Sequence, residues 1–501
     1  MKQIFYRVTD FVYDTTATTK FFVATVSLLV FQSTWLAFTA IYPLPFDEYV
    51  HVGFMRVYAG QWLPFITQQP PEASLFGDIT RTNSYLYHYL MSFPYRVIDL
   101  FTDNEMVLVI SLRLINIALV VAALLLFRKL FIMWKIPRRV MNVMFLMLVL
   151  TPIVPFVAAH VNYDNLIILV TPIVLIFGTR LIINKGDMAW NGTLYAVFGL
   201  AGTLAKETFG PLFVVISLYV AWRLWHEHGA KFLVDLQKSF IKNIRHVSFI
   251  FALLSLFVVG GLVTERYGGN FVRYGSLQVD CDVVQPESVC EDFGPWYRNR
   301  ENIRQKPAEA LYGNPLSYTQ HWISKTMRGF FVPFSHTPTQ VIWEREPFGP
   351  IVVKAILPVG FVFACAALIA GLAAVAIKSR SIVRDKPLRF ALIICAVYYV
   401  VLLIYNYMDY LELGEAEAIQ ARYSYPILLL MLLLMIQSVN KIISNKNAKV
   451  WLLVVSVTLY GWGGGIVPWL IRADDTWHWQ NSAAQNVNQK TQAVLKALII
   501  H

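Results

Sequence analysis

Long apolar stretches recur along the chain at about 21–42, 107–127, 140–158, 165–183, 190–205, 208–225, 247–264, 350–377, 390–407, 423–440 and 449–471. About 20 helical residues at ~1.5 Å rise cross a bilayer, and most of these stretches reach that length. They predict an all-α polytopic membrane protein with about 11 transmembrane helices over residues 1–471, followed by a short tail, 472–501. The 190–205 stretch is short; joined with 208–225 as one re-entrant hairpin, it would leave the remaining topology unchanged. Lys20 followed by an apolar run resembles a signal peptide, but the run is too long and no A-x-A site follows, so it reads as a retained first span.

The polar connections add orientation. Lys2, Arg7 and Lys20, then Arg128 to Arg139, then Arg180 and Lys185, Arg223 to Arg245, Lys378 to Arg389, and Lys441 to Lys449 fall in alternate connections. Basic residues concentrate on the cytoplasmic side of membrane proteins. The N-terminus is therefore expected in the cytoplasm and the C-terminus outside, in what reads as a bacterial inner membrane.

Two external segments are long, about 43–106 and 265–348. Residues Tyr49 to Gly60 and Ser317 to Phe331 carry apolar residues at helical spacing and read as helices lying in the membrane interface. Residues Asn83 to Phe101 read as a helix leading into the second span, and Gln489 to Ile500 as a short amphipathic helix. Asp474, Asp475, Trp477, His478 and Trp479 read as an interfacial anchor. Clustered glycines at 461 and 463–465 point to close helix packing or a kink. No 20–50-residue repeat is present.

Composition agrees with the pattern. The 501 residues are 57% hydrophobic and 15% charged, with mean hydropathy +0.53. Soluble domains are nearer ~25% charged. The net charge of +11 is explained by its placement between spans, and no nucleic-acid motif accompanies it. Cys365 and Cys395 lie inside spans as small apolar residues. Cys281 and Cys290 lie in an external loop, where a local disulfide is expected. No His or second Cys pair is spaced with them to bind a metal.

The chemistry-bearing residues gather at the predicted outer ends of the spans: Asp47, Glu48 and His51 after the first, with Tyr87 and His88 further along that loop. His160 and Asp164 follow the third span, Lys206-Glu207 lie between the fifth and sixth, and Arg422-Tyr423 open the tenth. Polar groups near membrane depth are costly and often functional. Carboxylates can deprotonate an acceptor hydroxyl, cations can hold a phosphate leaving group, and apolar helices can hold a polyisoprenyl tail. Each residue also has a structural reading. Asp164 suits a helix N-terminus, Lys206 can snorkel, and Arg422 can pair with the acids before it.

Phe46-Asp47-Glu48-Tyr49-Val50-His51, His160-Val161-Asn162-Tyr163-Asp164-Asn165-Leu166, Ala205-Lys206-Glu207-Thr208 and Gln420-Ala421-Arg422-Tyr423-Ser424-Tyr425-Pro426 occur in that order. This series resembles the GT-C glycosyltransferase superfamily, which includes protein O-mannosyltransferases and lipid A aminoarabinose transferases. The resemblance implies an inverting transferase using a polyprenyl-phosphate-linked sugar. Its acceptor would be a glycan, lipid or protein, and membrane lipids its surroundings. Asp47, Glu48 and Asp164 would be catalytic, and Lys206 and Arg422 would hold the donor phosphate. His51, Tyr87, His88, His160 and Tyr423 would serve the acceptor or the rest of the site. No cofactor is assigned; a divalent metal fits the superfamily and is not required. The chain departs from oligosaccharyltransferases in showing no large C-terminal soluble domain. Two alternatives stand beside this reading. An O-antigen polymerase or ligase would rely on Arg and His in one large loop. A transporter would place charges near the bilayer midplane and show internal repeats.

Overall fold

A computed structural model describes residues 2–44, 47–305, 313–331, 358–416, 418–463, 479 and 482–500. Among them the regular elements are helices, with no β-strand. The protein is an all-α polytopic membrane protein. Seven of its described helices are long and apolar enough to cross a membrane: Thr19–Thr39, Glu105–Met133, Asp164–Ile182, Phe209–His228, Val247–Tyr274, Lys386–Leu413 and Ala421–Ile442.

The other four expected spans are also helical where described. The third is broken into Arg138–Leu150 and Ile153–Ala158. Thr151 between them is extended, as the residue before a proline prefers, and Pro152 has no N–H to carry the helix through. The fifth, Met188–Ala205, is a separate helix from Phe209–His228, because Lys206 adopts an extended backbone at φ −153°. Gly199 lets the two pack closely: a Cβ there would lie 2.0 Å from the Phe213 ring. The remaining two are Pro358–Ile377 and Lys446–Gly463. Their outer portions at 350–357 and 464–471, the glycines Gly464 and Gly465, and the expected anchor residues Asp474, Asp475, Trp477 and His478 lie outside the described residues.

The chain forms two compact units. The first comprises Met1–Glu48, Val109–Val161 and Lys306–His501. Its centre is the Tyr425–Ile442 helix, in which every residue from Tyr425 to Met435 is buried, as expected of a helix apolar all round. Arg138–Leu150, Pro358–Ile377 and Lys386–Leu413 pack on it, and Thr19–Thr39 packs on Arg138–Leu150. The second comprises Tyr49–Leu108 and Asn162–Gln305. There Met188–Ala205 packs between Asp164–Ile182, Phe209–His228 and Val247–Val263. The Val247–Val263 helix continues through a π-helical turn, Thr264–Gly268, into Gly269–Tyr274.

Two expectations need correction. The helix expected from Tyr49 spans Glu48–Ala59, but its apolar face is not left for lipid: Val50, Phe54 and Tyr58 are buried in protein against Phe76, Tyr85 and His88. Likewise Pro315–Phe331 buries Tyr318, Trp322, Phe330 and Phe331 in protein and leaves Ile323 exposed. Tyr318 Oη donates to Asn406 O at 2.7 Å and Trp322 Nε1 to Asn406 Oδ1 at 2.9 Å. The aromatic polar atoms have protein partners, which is what buried Tyr and Trp require. The helices expected from Asn83 and from Gln489 are Leu86–Asp99 and part of Ser482–Ile500. Cys281 and Cys290 are disulfide-bonded; Cys365 and Cys395 are free.

Candidate functional site

The first unit brings together Asp47, Glu48, His160 and Arg422, and adds Arg113. Neighbouring residues on a chain point in different directions, and here two adjacent acids have opposite fates. Glu48 opens its helix and is fully buried. Its Oε1 accepts from Arg113 Nε at 2.9 Å and Val161 N at 3.1 Å, and its Oε2 from Arg113 Nη2 and Leu44 N, both at 2.7 Å. The other Arg113 donors reach the carbonyls of Ala37, Ala40 and Ile41. All five guanidinium N–H groups are thereby used, and the last turn of Thr19–Thr39 receives a cationic cap. Burial, the largest single effect, would raise the Glu48 carboxyl; the Arg113 guanidinium, together with His160 and the Leu44 N–H, more than reverses this and lowers it.

Asp47, one residue earlier, has a side chain 47% exposed. Its backbone is left-handed, φ 70°, an uncommon conformation for a non-glycine residue that Asp tolerates better than most. Arg422 Nη2 donates to Asp47 Oδ2 at 3.1 Å. Arg422 itself is buried on the 3₁₀ turn Ala421–Ser424, just before the Tyr425–Ile442 helix, whose first turn holds Pro426. Tyr423 is half-buried beneath that guanidinium, 5.5 Å from ring centroid to Arg422 Cζ. His160 is fully buried and stacks on Phe156 at 5.9 Å. Burial pushes its imidazole down to about 4, against the opposing pull of Glu48.

The second unit brings together Asp164, Lys206, His51, Tyr87 and His88, and adds Tyr163. Asp164 begins its helix, but its carboxylate does not cap it. Asn162 Oδ1 takes the Asp164 N–H at 2.8 Å, and Asp164 Oδ1 accepts from Lys206 Nζ at 2.5 Å. Both side chains are buried, so Lys206 does not snorkel. Its ammonium lies 4.6 Å from the Tyr163 ring centroid, and Asp164 Oδ2 has no hydrogen-bond partner among the described residues. His51 Nδ1 and His88 Nε2 share a hydrogen bond of 2.8 Å. Tyr163 and Tyr87 meet His51 edge-on, at 4.6 and 6.2 Å. Burial pushes His88 down to about 3, so its ring is neutral at physiological pH. Among the described residues no three His, Cys, Asp or Glu side chains lie together as metal ligands.

Arg113 was not foreseen. Its signal was present, a lone cation inside the 107–127 apolar stretch, where an ionisable residue marks a buried partner or a function. The geometry separates a fixed acid from an accessible one: Glu48 has no lone pair left to give a substrate, whereas Asp47 presents a half-exposed carboxylate beside a buried cation. The family model described as "Predicted membrane protein (DUF2142)" matches residues 72–431, most of the chain. No curated protein matches it.

Proposed function

Because this chain belongs to DUF2142, a family of predicted membrane proteins, we propose for it a reaction at a membrane surface: transfer of a sugar from a polyprenyl-phosphate donor to a cell-envelope glycan, lipid or protein. The observation that carries the reading is the division of labour between Asp47 and Glu48. In this reading the Asp47 carboxylate takes the proton from an acceptor hydroxyl as the oxygen attacks the anomeric carbon. The bond from that carbon to the phosphate oxygen breaks, polyprenyl phosphate leaves, and the anomeric configuration inverts. Arg422 orients the base and offers positive charge to the phosphate as it departs. Glu48 and Arg113 hold the turn that carries Asp47. Lys206 is the second phosphate candidate, and a phosphate there would compete with Asp164 for its ammonium. The reaction takes place on the extracytoplasmic side of a bacterial inner membrane, with the N-terminus in the cytoplasm and the C-terminus outside.

The test is a panel of polyprenyl-phosphate sugars given to purified protein in lipid nanodiscs, scored for release of polyprenyl phosphate. A positioned base contributes ~10²–10⁴-fold, so Asp47→Asn should lose about that much turnover while remaining folded and binding donor. Near-full turnover in Asp47→Asn would remove the mechanism. Wild-type protein that moves a lipid or solute across the bilayer and consumes no donor would favour a transporter instead.

A further inference from the structure

The second unit contains a cleft of about 1180 Å³ that none of the residues discussed above lines. One wall is the 65–71 segment, another the end of the helical rod from Glu265 to Tyr274, and a third the segment from Val284 to Val289, held between the disulfide-bonded Cys281 and Cys290. Small-molecule pockets are typically ~300–1,000 Å³, so this cleft has room for a ligand of several units.

Side-chain polar groups of Gln68, Gln285 and Ser288 and the carboxylate of Asp292 line it together with the apolar surfaces of Phe65, Pro70 and Tyr274. Gln285 Nε2 is held by Asp78 Oδ1 at 2.8 Å, which leaves its Oε1 to accept. Three arginines also line it, and they are not equivalent. Arg81 is spent on Asn270 Oδ1 at 2.8 Å, Glu265 Oε1 at 2.8 Å and the Glu265 carbonyl at 3.3 Å. Arg266 is spent on the carbonyls of Thr80 and Thr82, at 2.8 and 2.9 Å, and lies 3.4 Å from Glu265 Oε2. These two build the wall. Arg273 and Asp292 are both exposed, and neither has a side-chain hydrogen bond or ion pair among the described residues.

We propose that this cleft binds an acidic oligosaccharide, with Arg273 pairing with a ligand carboxylate, Asp292 and Gln285 Oε1 accepting from sugar hydroxyls, and the ring surfaces taking the C–H faces of successive sugar units. A guanidinium recognises a carboxylate through paired N–H donors. Binding of a peptide by strand addition is unavailable, because no strand is present among the described residues of this unit. The proposal rests on the glycosyl-transfer reading only in making this ligand the acceptor; binding itself requires no transfer.

The experiment is direct titration of the full chain in nanodiscs, by calorimetry, with tetragalacturonic acid and a hyaluronate tetrasaccharide as probes. Maltotetraose and tetraglutamate serve as the neutral sugar and the acidic peptide. At least one acidic tetrasaccharide should bind saturably, and both comparison ligands should bind about tenfold or more weakly, the lower end expected of a charge-assisted pair. Arg273→Gln should weaken the acidic sugar to a similar extent, and Ser288→Trp, which fills the cleft from an exposed position, should also weaken it. Binding of neither acidic sugar, equal binding of tetraglutamate or maltotetraose, or unchanged affinity in both variants would each overturn the proposal. A protein that binds the acidic sugar but consumes no lipid-linked donor would keep this site and lose the transferase reading.

Discussion

Replacing Glu48 by glutamine tests a contact in which both carboxylate oxygens and the guanidinium are fully engaged. The substitution keeps the shape and leaves the Arg113 guanidinium charged in a place where both side chains are 0% exposed. Removing one partner of a buried pair costs about 3–5 kcal/mol, because the other charge stays desolvated and uncompensated. Arg113→Met should cost at least as much, since it also strips the carbonyls of Ala37, Ala40 and Ile41 of their donors. The double variant should be much less damaged than the sum of the singles, with a coupling of roughly 2 kcal/mol or more. Thermal unfolding on a Cys365→Ser background can be followed with a thiol-reactive fluorogenic dye, which reports exposure of the buried Cys395. At about 2 °C per kcal/mol, suitable for a large domain, each single variant should fall by roughly 6 °C or more. Asp47→Asn is the control. Its carboxylate is half-exposed, and such pairs contribute about 0.2–1 kcal/mol. Single-variant losses within about 2 °C, or a double variant as damaged as the summed singles, would refute the structural assignment of Glu48.

Further outcomes follow from the same geometry. Both His88 and His160 are held well below the unfolded imidazole value of ~6.5. The unfolded chain therefore binds protons first as pH falls. Stability should be full above about pH 6.5 and decline below it by about 1.4 kcal/mol per pH unit for each histidine. Thermal midpoints that do not move between pH 7 and pH 5 would contradict this. Glu48 acts in a lower window: its depressed carboxyl contributes fully above the ordinary ~4.3 and loses that contribution as pH falls towards its folded value. Arg422→Ala should weaken polyprenyl-phosphate binding by about 1.5–3 kcal/mol, and unchanged affinity would assign Arg422 to holding Asp47 alone. Asp164→Asn should destabilise by about 3–5 kcal/mol through the stranded Lys206, measured by the same dye; an unchanged midpoint would count against a committed pair. Cys281 and Cys290 should resist alkylation until reduced, as read by intact mass.

The helices were legible because their period and length are set by burial in an apolar surrounding, and hydropathy reports that directly. The break at Thr151-Pro152 was legible in principle, since Pro152 sits inside the 140–158 stretch, but mean hydropathy averages over it. The interfacial expectation for Tyr49–Gly60 and Ser317–Phe331 failed for a physical reason. An amphipathic face shows that a helix has an apolar side, and says nothing of whether lipid or protein covers it. For the candidate residues, the order of motifs singled out Asp47, Asp164, Lys206 and Arg422, and chain adjacency required that Asp47 and Glu48 point in different directions. Which of the two is buried depends on Arg113, 65 residues away along the chain, a distance over which spacing carries no information.

The buried Arg113–Glu48 lock also has a consequence for biogenesis. An arginine within a transmembrane helix carries an insertion cost of up to about 2.5–3.5 kcal/mol, the figure for the helix centre, and Arg113 is the ninth residue of Glu105–Met133. A chain is made from its N-terminus, and early segments fold first. The carbonyls of Ala37, Ala40 and Ile41 and the Glu48 carboxylate all precede Arg113 in synthesis. The receptor for the charge is thus synthesised before the span that carries it. Entry of that span is therefore expected to depend on correct placement of the first, and Glu48→Gln should lower the inserted fraction of the second span, as read by a reporter fused after Met133.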